Sequence, residues 1–426
     1  MARGMSCVTP SAARLTDSLR DIGYDFSSAV ADLVDNSITA GATQVDIVVE
    51  FDGESSRVFI ADNGYGMTAN GLTEAMRFGS RRSYGSGDLG RYGLGLKTAS
   101  LSQGRSFTVV TRTSNSKRPI VARQLDLDLI MEFDEWLIID PSRSEHITRA
   151  RRLLEDGTGT VVIWEKLDRV VPTKNSSGGW ARRRFEVLTT RVAEHLAMVF
   201  HKYLAGEIGS EAVKITVNGA KLSPWDPFAR SEKSTRELSE QVFEVEHGDA
   251  VGCVKLRRFV LPGRDQFSTL SEFDRLSGPL KWNRQQGIYT YRAGRLVQWG
   301  GWAGIRAIDE HTKLARASLE FDTDLDAAFN INVAKMRVTV PAQLRQMIER
   351  PINEMCGLAD EVYRKSSNGR SKGKGSKDSG ESAAPSAEVG LALKAAAAQV
   401  GEYKAFKRIA SALRENSPEV AKSLGL

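Results

Sequence analysis

The sequence predicts an α/β protein with two folded domains, and three observations predict it. Segments with the 3.6-residue period of a helix alternate with short strand-like segments as far as residue 165. A long amphipathic stretch from Trp180 to Leu204 then separates this block from a second series of strand-like segments that ends near residue 365. Over residues 366–386 the composition changes to Ser, Gly and Lys, with too few apolar side chains to offset the entropy of ordering. That stretch reads as a flexible linker ahead of a small helical tail at 387–426.

Residues 10–42 read as helical, with Leu15, Leu19 and Ile22 on one face and Ala29, Leu33 and Val34 on another, interrupted at Gly23. QVDIVVEF alternates as a half-buried strand does, and a turn at Asp52 and Gly53 leads into the strand RVFIAD. Residues 79–96 hold six glycines among polar residues, which predicts a long functional loop before a helix starting near Lys97. SFTVVTRT and TVVIWEKL are further strands. The helix from Trp180 lines up Phe185, Leu188, Val192, Leu196, Val199 and Leu204. Beyond it VKITVNGAKL predicts a hairpin, because Asn218 and Gly219 tolerate the positive φ of a type I′ turn. VKLRRFVL, GIYTYRAGRLVQW and INVAKMRVTV continue the strand series. The expected organisation is a first domain at 1–178, a connecting helix at 179–205, a second α/β domain at 206–365, the linker and the tail.

With 426 residues, 41% hydrophobic and 26% charged, the chain has ordinary soluble composition. No apolar run approaches the roughly 20 residues of a membrane span, and the start MARGMSCVTPSAARL lacks a secretion pattern, so a cytoplasmic protein without a membrane partner is expected. Cys7, Cys253 and Cys356 are too scattered for a disulfide framework or a zinc site. A net charge of +6 and a pI near 9.1 suit polyanions such as DNA, through neutralisation of phosphates, but suit solvated surface faces equally.

Four short constellations carry chemistry. In ADLVDNSITAGA (31–42), Asp32 and Asn36 are spaced i, i+4 and share a helix face, where one can act on a water and the other can offer an amide oxygen to magnesium. In ADNGYGM (61–67) a strand delivers Asp62, and Gly64 and Gly66 let the backbone approach a flat ligand whose amine the carboxylate can accept from. GDLGRYGLGLKTAS (87–100) aims backbone N–H groups at phosphates with Lys97 as a point charge, although Leu96 stands where a P-loop requires glycine. DGTGTVVIW (156–164) puts the Thr160 hydroxyl at a strand start. Each alone also reads as a solvated face, a plain turn or a capped loop.

In this order the four segments resemble the nucleotide-binding motifs of the GHKL superfamily, which includes DNA gyrase, heat-shock chaperones, MutL and MORC proteins and sensor histidine kinases. The resemblance implies a Bergerat-type α/β sandwich followed by a transducer-like domain of the ribosomal-S5 type, with ATP and Mg2+ as cofactors. It places Asp32 where the family has its catalytic Glu and Asn36 on the magnesium ligand. The ATP-contacting positions it implies are Asn36, Ala40, Asp62, Gly64, Gly66, Met67, Gly93, Leu94, Gly95, Leu96, Lys97, Thr98 and Thr160. INVAKMRVTVP is similar to the MutL segment whose lysine reaches the γ-phosphate, which makes Lys335 the expected sensor. Two positions depart from the family: Asp32 is one methylene short, which implies slow hydrolysis, and Thr39 replaces a common Asp.

What the resemblance implies is an ATP-dependent homodimer that clamps double-stranded DNA in a repair, restriction or phage-defence setting, with a nuclease or helicase as a further partner. Two other readings stay open: an ATP-binding scaffold or chaperone-like module that scarcely hydrolyses, and a histidine kinase, which fits poorly because no phosphoacceptor helix precedes residue 31.

Overall fold

The chain opens on two helices, α1 (Ala12–Arg20) and α2 (Phe26–Thr39), each begun by a side chain that satisfies a free backbone N–H. Ser11 accepts from Arg14 and Asp25 from Ser28. The computed structural model describes residues 10–21, 23–79, 93–113, 119–171, 176–248, 250–331, 338–372, 397, 403–418 and 421. Residues up to 368 form one unit and 369–426 another, which contains helix α12 (Tyr403–Asn416).

Strands β1 (Gln44–Glu50), β2 (Arg57–Asp62), β3 (Ser106–Arg112), β4 (Val121–Asp126), β5 (Gly159–Glu165), β6 (Lys214–Val217) and β7 (Ala220–Lys221) form a sheet in the order β4-β3-β5-β2-β1-β6-β7. One face packs on α2, on α4 (Gly95–Gln103) and on the long helix α7 (Gly179–Val199). The other packs on α6 (Glu145–Arg152), where Phe59, Val110, Ile147, Val161 and Ile163 form a smaller core. Short helices α3 (Ala69–Met76) and α5 (Leu127–Phe133) complete the layer.

Trp164 on β5 fixes the helices that carry the site. It is fully buried, meets the Phe26 ring edge-on at 5.9 Å, and donates its indole N–H to Ser100 Oγ on α4 at 2.8 Å. A tryptophan so placed contributes about 3–5 kcal/mol relative to alanine.

The second sheet has the order β11-β10-β12-β9-β8, from strands β8 (Arg236–His247), β9 (Ala250–Val260), β10 (Gly287–Arg292), β11 (Arg295–Gln298) and β12 (Ala315–Phe321). Helices α8 (His201–Leu204), α9 (Leu270–Leu276) and α10 (Lys281–Gln285) flank it, and α11 (Ala342–Lys372) buries Leu344, Ile348, Ile352 and Met355 in its core. No described helix is long and apolar enough to cross a membrane.

The structure differs from the expectations at four places. The Asn218–Gly219 hairpin forms with positive φ at both residues, but β6 pairs in parallel with β1 and extends the first sheet instead of opening the second domain at 206. A parallel pair needs a long crossover, and α7 supplies it. The helix expected near Lys97 starts two residues earlier, at Gly95. Helix α11 continues to Lys372, into the stretch expected to be linker. Residues 338–340 of the expected INVAKMRVTV strand are not in a strand, and 332–337, with Lys335, lie outside the described residues, as does 80–92 of the expected loop.

Candidate functional site

Strand β2 ends on Asp62, and three donors from separate elements converge on its carboxylate. Ser37 Oγ on α2 donates to Oδ2 at 3.0 Å, while the backbone N–H groups of Gly64 and Thr160 donate to Oδ1 at 2.9 and 3.2 Å. Burial raises the pKa of Asp62, and these three hydrogen bonds oppose the rise by favouring the ionised form.

The turn beyond Asp62 admits only glycine at its tightest point. Gly66 has φ +64°, and a Cβ there would lie 1.9 Å from the Arg112 carbonyl oxygen. Gly159, with φ +144°, likewise lies against the Asp62 carbonyl, 1.9 Å from an added Cβ. Ala40, at the end of α2, accepts the Tyr65 N–H at 3.0 Å and lines the same corner.

Thr111 on β3 completes the corner. Its hydroxyl donates to the Gly159 carbonyl at 2.8 Å and accepts the Met67 N–H at 2.9 Å. Its single proton is thereby used, so in the 3.1 Å contact between the two hydroxyls Thr160 is the donor. Asp62, Gly64, Gly66, Met67 and Thr160 therefore meet in one place, where a fixed carboxylate and bare backbone can accept a flat ring bearing an amine.

Asp32 and Asn36 follow on α2. Asp32 is only 2% exposed and accepts the Tyr24 hydroxyl at Oδ2 over 2.8 Å. Burial, then the Asp32 charge, push the Tyr24 pKa far above its ordinary value, so the phenol stays a donor. Gly95, first residue of α4, backs onto this carboxylate, and a Cβ there would lie 2.6 Å from Oδ2. Asn36, one turn on, is exposed; its backbone carbonyl accepts the Ala40 N–H at 2.9 Å, and its side-chain amide makes no hydrogen bond among the described residues. Leu94 precedes α4 without a capping side chain; its carbonyl accepts the Lys97 and Thr98 N–H groups at 3.0 and 2.9 Å, and the Gly95 and Leu96 N–H groups ahead of them have no partner among the described residues.

Lys97 departs from the expected phosphate contact. It is 1% exposed, and its ammonium donates to the carbonyls of Ala75, at 2.9 Å, and Gly93. Burial lowers its pKa to about 8, with Glu74 opposing. The lysine thus ties the end of α3 to Gly93, which has φ +61°, at the foot of the Gly-rich segment. Thr98 donates to the Leu94 carbonyl at 3.0 Å and Leu96 packs against the core, so neither side chain is turned outward.

Sequence reasoning missed Tyr24, Ser37, Thr111, Gly159 and Arg295. Ser37 and Gly159 stand inside motifs already singled out, while Tyr24 and Thr111 carry no local signal. Arg295, on β11, donates to Asp35 Oδ1 of α2 at 2.8 Å, with the two side chains 4% and 0% exposed. This ion pair joins the first block to the second.

Residues 24–160 match the family model described as histidine kinase-, DNA gyrase B- and HSP90-like ATPase. Over 93 residues the chain is 37% identical to ATPase MORC2B of Mus musculus and 33% identical to ATPase MORC2 of Homo sapiens. Each match covers 21% of this chain and 9% of the relative, so the likeness spans a small part of those proteins. Strands β1 to β4 and the Asp62 corner, Thr160 included, fall within the matched range, whereas most of β5 and all of β6 and β7 lie beyond it. Residues 24–160 are therefore a domain of the histidine kinase-, DNA gyrase B- and HSP90-like ATPase type, the GHKL superfamily, and part of the chain is similar to MORC ATPases.

Proposed function

We propose that the protein is an ATP-hydrolysing conformational switch that closes as a homodimer clamp on double-stranded DNA. The observation that carries the nucleotide part is the Asp62 carboxylate, held by Ser37, Gly64 and Thr160 beside glycines that leave the backbone bare. Asp62 accepts the exocyclic amine of adenine, Gly64, Gly66 and Met67 line the ring, and Thr160 closes its edge. Gly93, Leu94, Gly95 and Leu96 offer backbone to the phosphates, while Thr98 closes the first turn of α4 on the Leu94 carbonyl and Lys97 ties Gly93 to the end of α3.

Asp32 receives the proton of the attacking water on its carboxylate, oriented by the Tyr24 hydroxyl. Asn36 suits a magnesium ion, because its side-chain amide is exposed and bonds none of the described residues, and such an ion takes few protein ligands alongside waters and phosphate oxygens. When bound, the ion neutralises phosphate charge. Lys335 is the sensor that ties the second domain to the γ-phosphate.

Two features favour the dimer and the DNA. Leu15, Met131, Phe133 and Trp136 are exposed apolar residues around the junction of α1 and α5, where Ser11 and Ala13 bond Asp134. The net charge of +6 favours a polyanion. Sedimentation with a non-hydrolysable ATP analogue should give a dimer, and a monomer under those conditions removes the clamp.

The deciding experiment is steady-state ATP hydrolysis with magnesium, with and without duplex DNA, for the native chain, Asp32→Ala and Asn36→Ala. DNA-stimulated turnover lost in both variants is the expected result. Turnover unchanged without Asp32 overturns its role. The short Asp32 side chain, deep in the protein, favours one second reading, a scaffold that binds ATP without turning it over, and background turnover in the native chain with DNA selects it.

A further inference from the structure

We propose that Arg295 is a positioning residue for the nucleotide site: from the second sheet it fixes the rotation of α2, the helix that carries Asp32 and Asn36. This inference rests on the ATP reading given above. Asp35 lies between those two residues, three after Asp32 and one before Asn36, and its carboxylate meets Arg295 Nε at 2.8 Å. Any rotation or slide of α2 that carried Asp32 or Asn36 elsewhere would part this pair.

A charged pair so deeply buried contributes little net stability, since desolvation of both groups offsets most of the attraction and an apolar pair would hold α2 and β11 together as well. What the pair adds is direction: one orientation of α2 brings the Asp35 carboxylate to Arg295 Nε, and any other breaks this buried charge-assisted bond.

The strand end of the pair is itself held on several sides. Arg295 leaves a tight turn at Ala293 and Gly294, both at positive φ. Tyr203 donates to the Ala293 carbonyl at 2.7 Å, and the Ala293 N–H donates to Phe321 on β12 at 3.0 Å. Gly294 is pressed on Ile208, 2.7 Å from an added Cβ. The guanidinium lies 5.7 Å from the centre of the Phe200 ring. Three residues further, Gln298 accepts the Val338 N–H at 2.9 Å, directly after the stretch that contains Lys335. The short strand β11 thus touches the helix of Asp32 and Asn36 through one side chain and the flank of the Lys335 segment through another.

The test uses the full chain and the double variant Asp35→Asn with Arg295→Gln, which removes both charges of the pair with side chains of similar size. Amide hydrogen exchange is followed with and without a non-hydrolysable ATP analogue. In the native chain the analogue should slow exchange both in 26–39 and in 287–298. In the double variant it should bind within about threefold of native affinity and protect 26–39, with no added protection in 287–298. Turnover in that variant should fall by about tenfold or more while KM stays within about threefold, and Arg295→Lys should restore much of kcat. Equal protection of 287–298 in native and variant, or native turnover in the variant, overturns the proposal. So does a native chain that binds the analogue without protecting 287–298. A native chain that binds no analogue fails at the ATP reading itself, and this inference falls with it.

Discussion

Tyr24 donates its hydroxyl to the Asp32 carboxylate at 2.8 Å. A hydrogen bond to a charged acceptor contributes about 1.5–3 kcal/mol, so Tyr24→Phe should lower ATP turnover by roughly tenfold or more with the fold retained, read by steady-state kinetics beside a thermal melt. Lys97 gives a second test. Its folded pKa of about 8 lies below the ordinary lysine value of 10.5, so between those values the unfolded chain holds the extra proton and stability rises with pH. Lys97→Met should remove a gain of about 3 kcal/mol across that window, followed by denaturant titration at pH 7 and pH 10.5. Asp62 works in the opposite range. Its raised pKa means that acidification protonates it sooner than an ordinary aspartate, so nucleotide affinity should begin to weaken above the usual carboxylate range. Asp62, Gly66 and Thr160 were legible as neighbours because each sits in a short motif with its own backbone signal. Tyr24, Thr111 and Arg295 were not, because their partners are brought to them only by the packing of distant elements.

At the scale of elements, the turns around Asp62 are the least tolerant of change. Gly66→Ala and Gly159→Ala each combine a strained φ with backbone contact and should destabilise by roughly 1–3 kcal/mol, whereas Gly157→Ala, with open space around it, should stay within about 0.5 kcal/mol. Chemical denaturation of the three variants checks the contrast. Elements with a strong period were legible: α2, β1, β2, β3, β5, α7 and the β10–β11 hairpin all appear near their expected places. Helices α3, α5 and α6 were not, since seven or eight residues give too few turns for a period to stand out. Strand β8, RELSEQVFEVEH, hides for another reason. It is an edge strand exposed along most of its length, so charge replaces the alternation that burial would impose. Buried β12, ARASLEF, uses small and polar residues and offers no alternation either.

Over the whole molecule, a DNA clamp of this charge should bind duplexes without sequence preference and lose affinity steeply with salt; affinity that is flat between low and physiological salt would exclude phosphate neutralisation as its basis. Helix α7 contributes Phe185, Val192 and Leu196 to the first core and Met198 to the second, which makes it a shared wall of both. The return of β6 to the β1 edge has a consequence in time. On the ribosome the chain finishes β5 at Glu165, yet β1 gains its last neighbour only when Val217 has emerged, roughly 3–10 s later at ordinary elongation rates. For that interval the nascent ATPase sheet shows an open edge to every neighbouring polypeptide. Asp46, which later accepts the Thr216 hydroxyl at 2.7 Å, puts a negative charge in the middle of that edge and deters premature pairing until its own strand arrives.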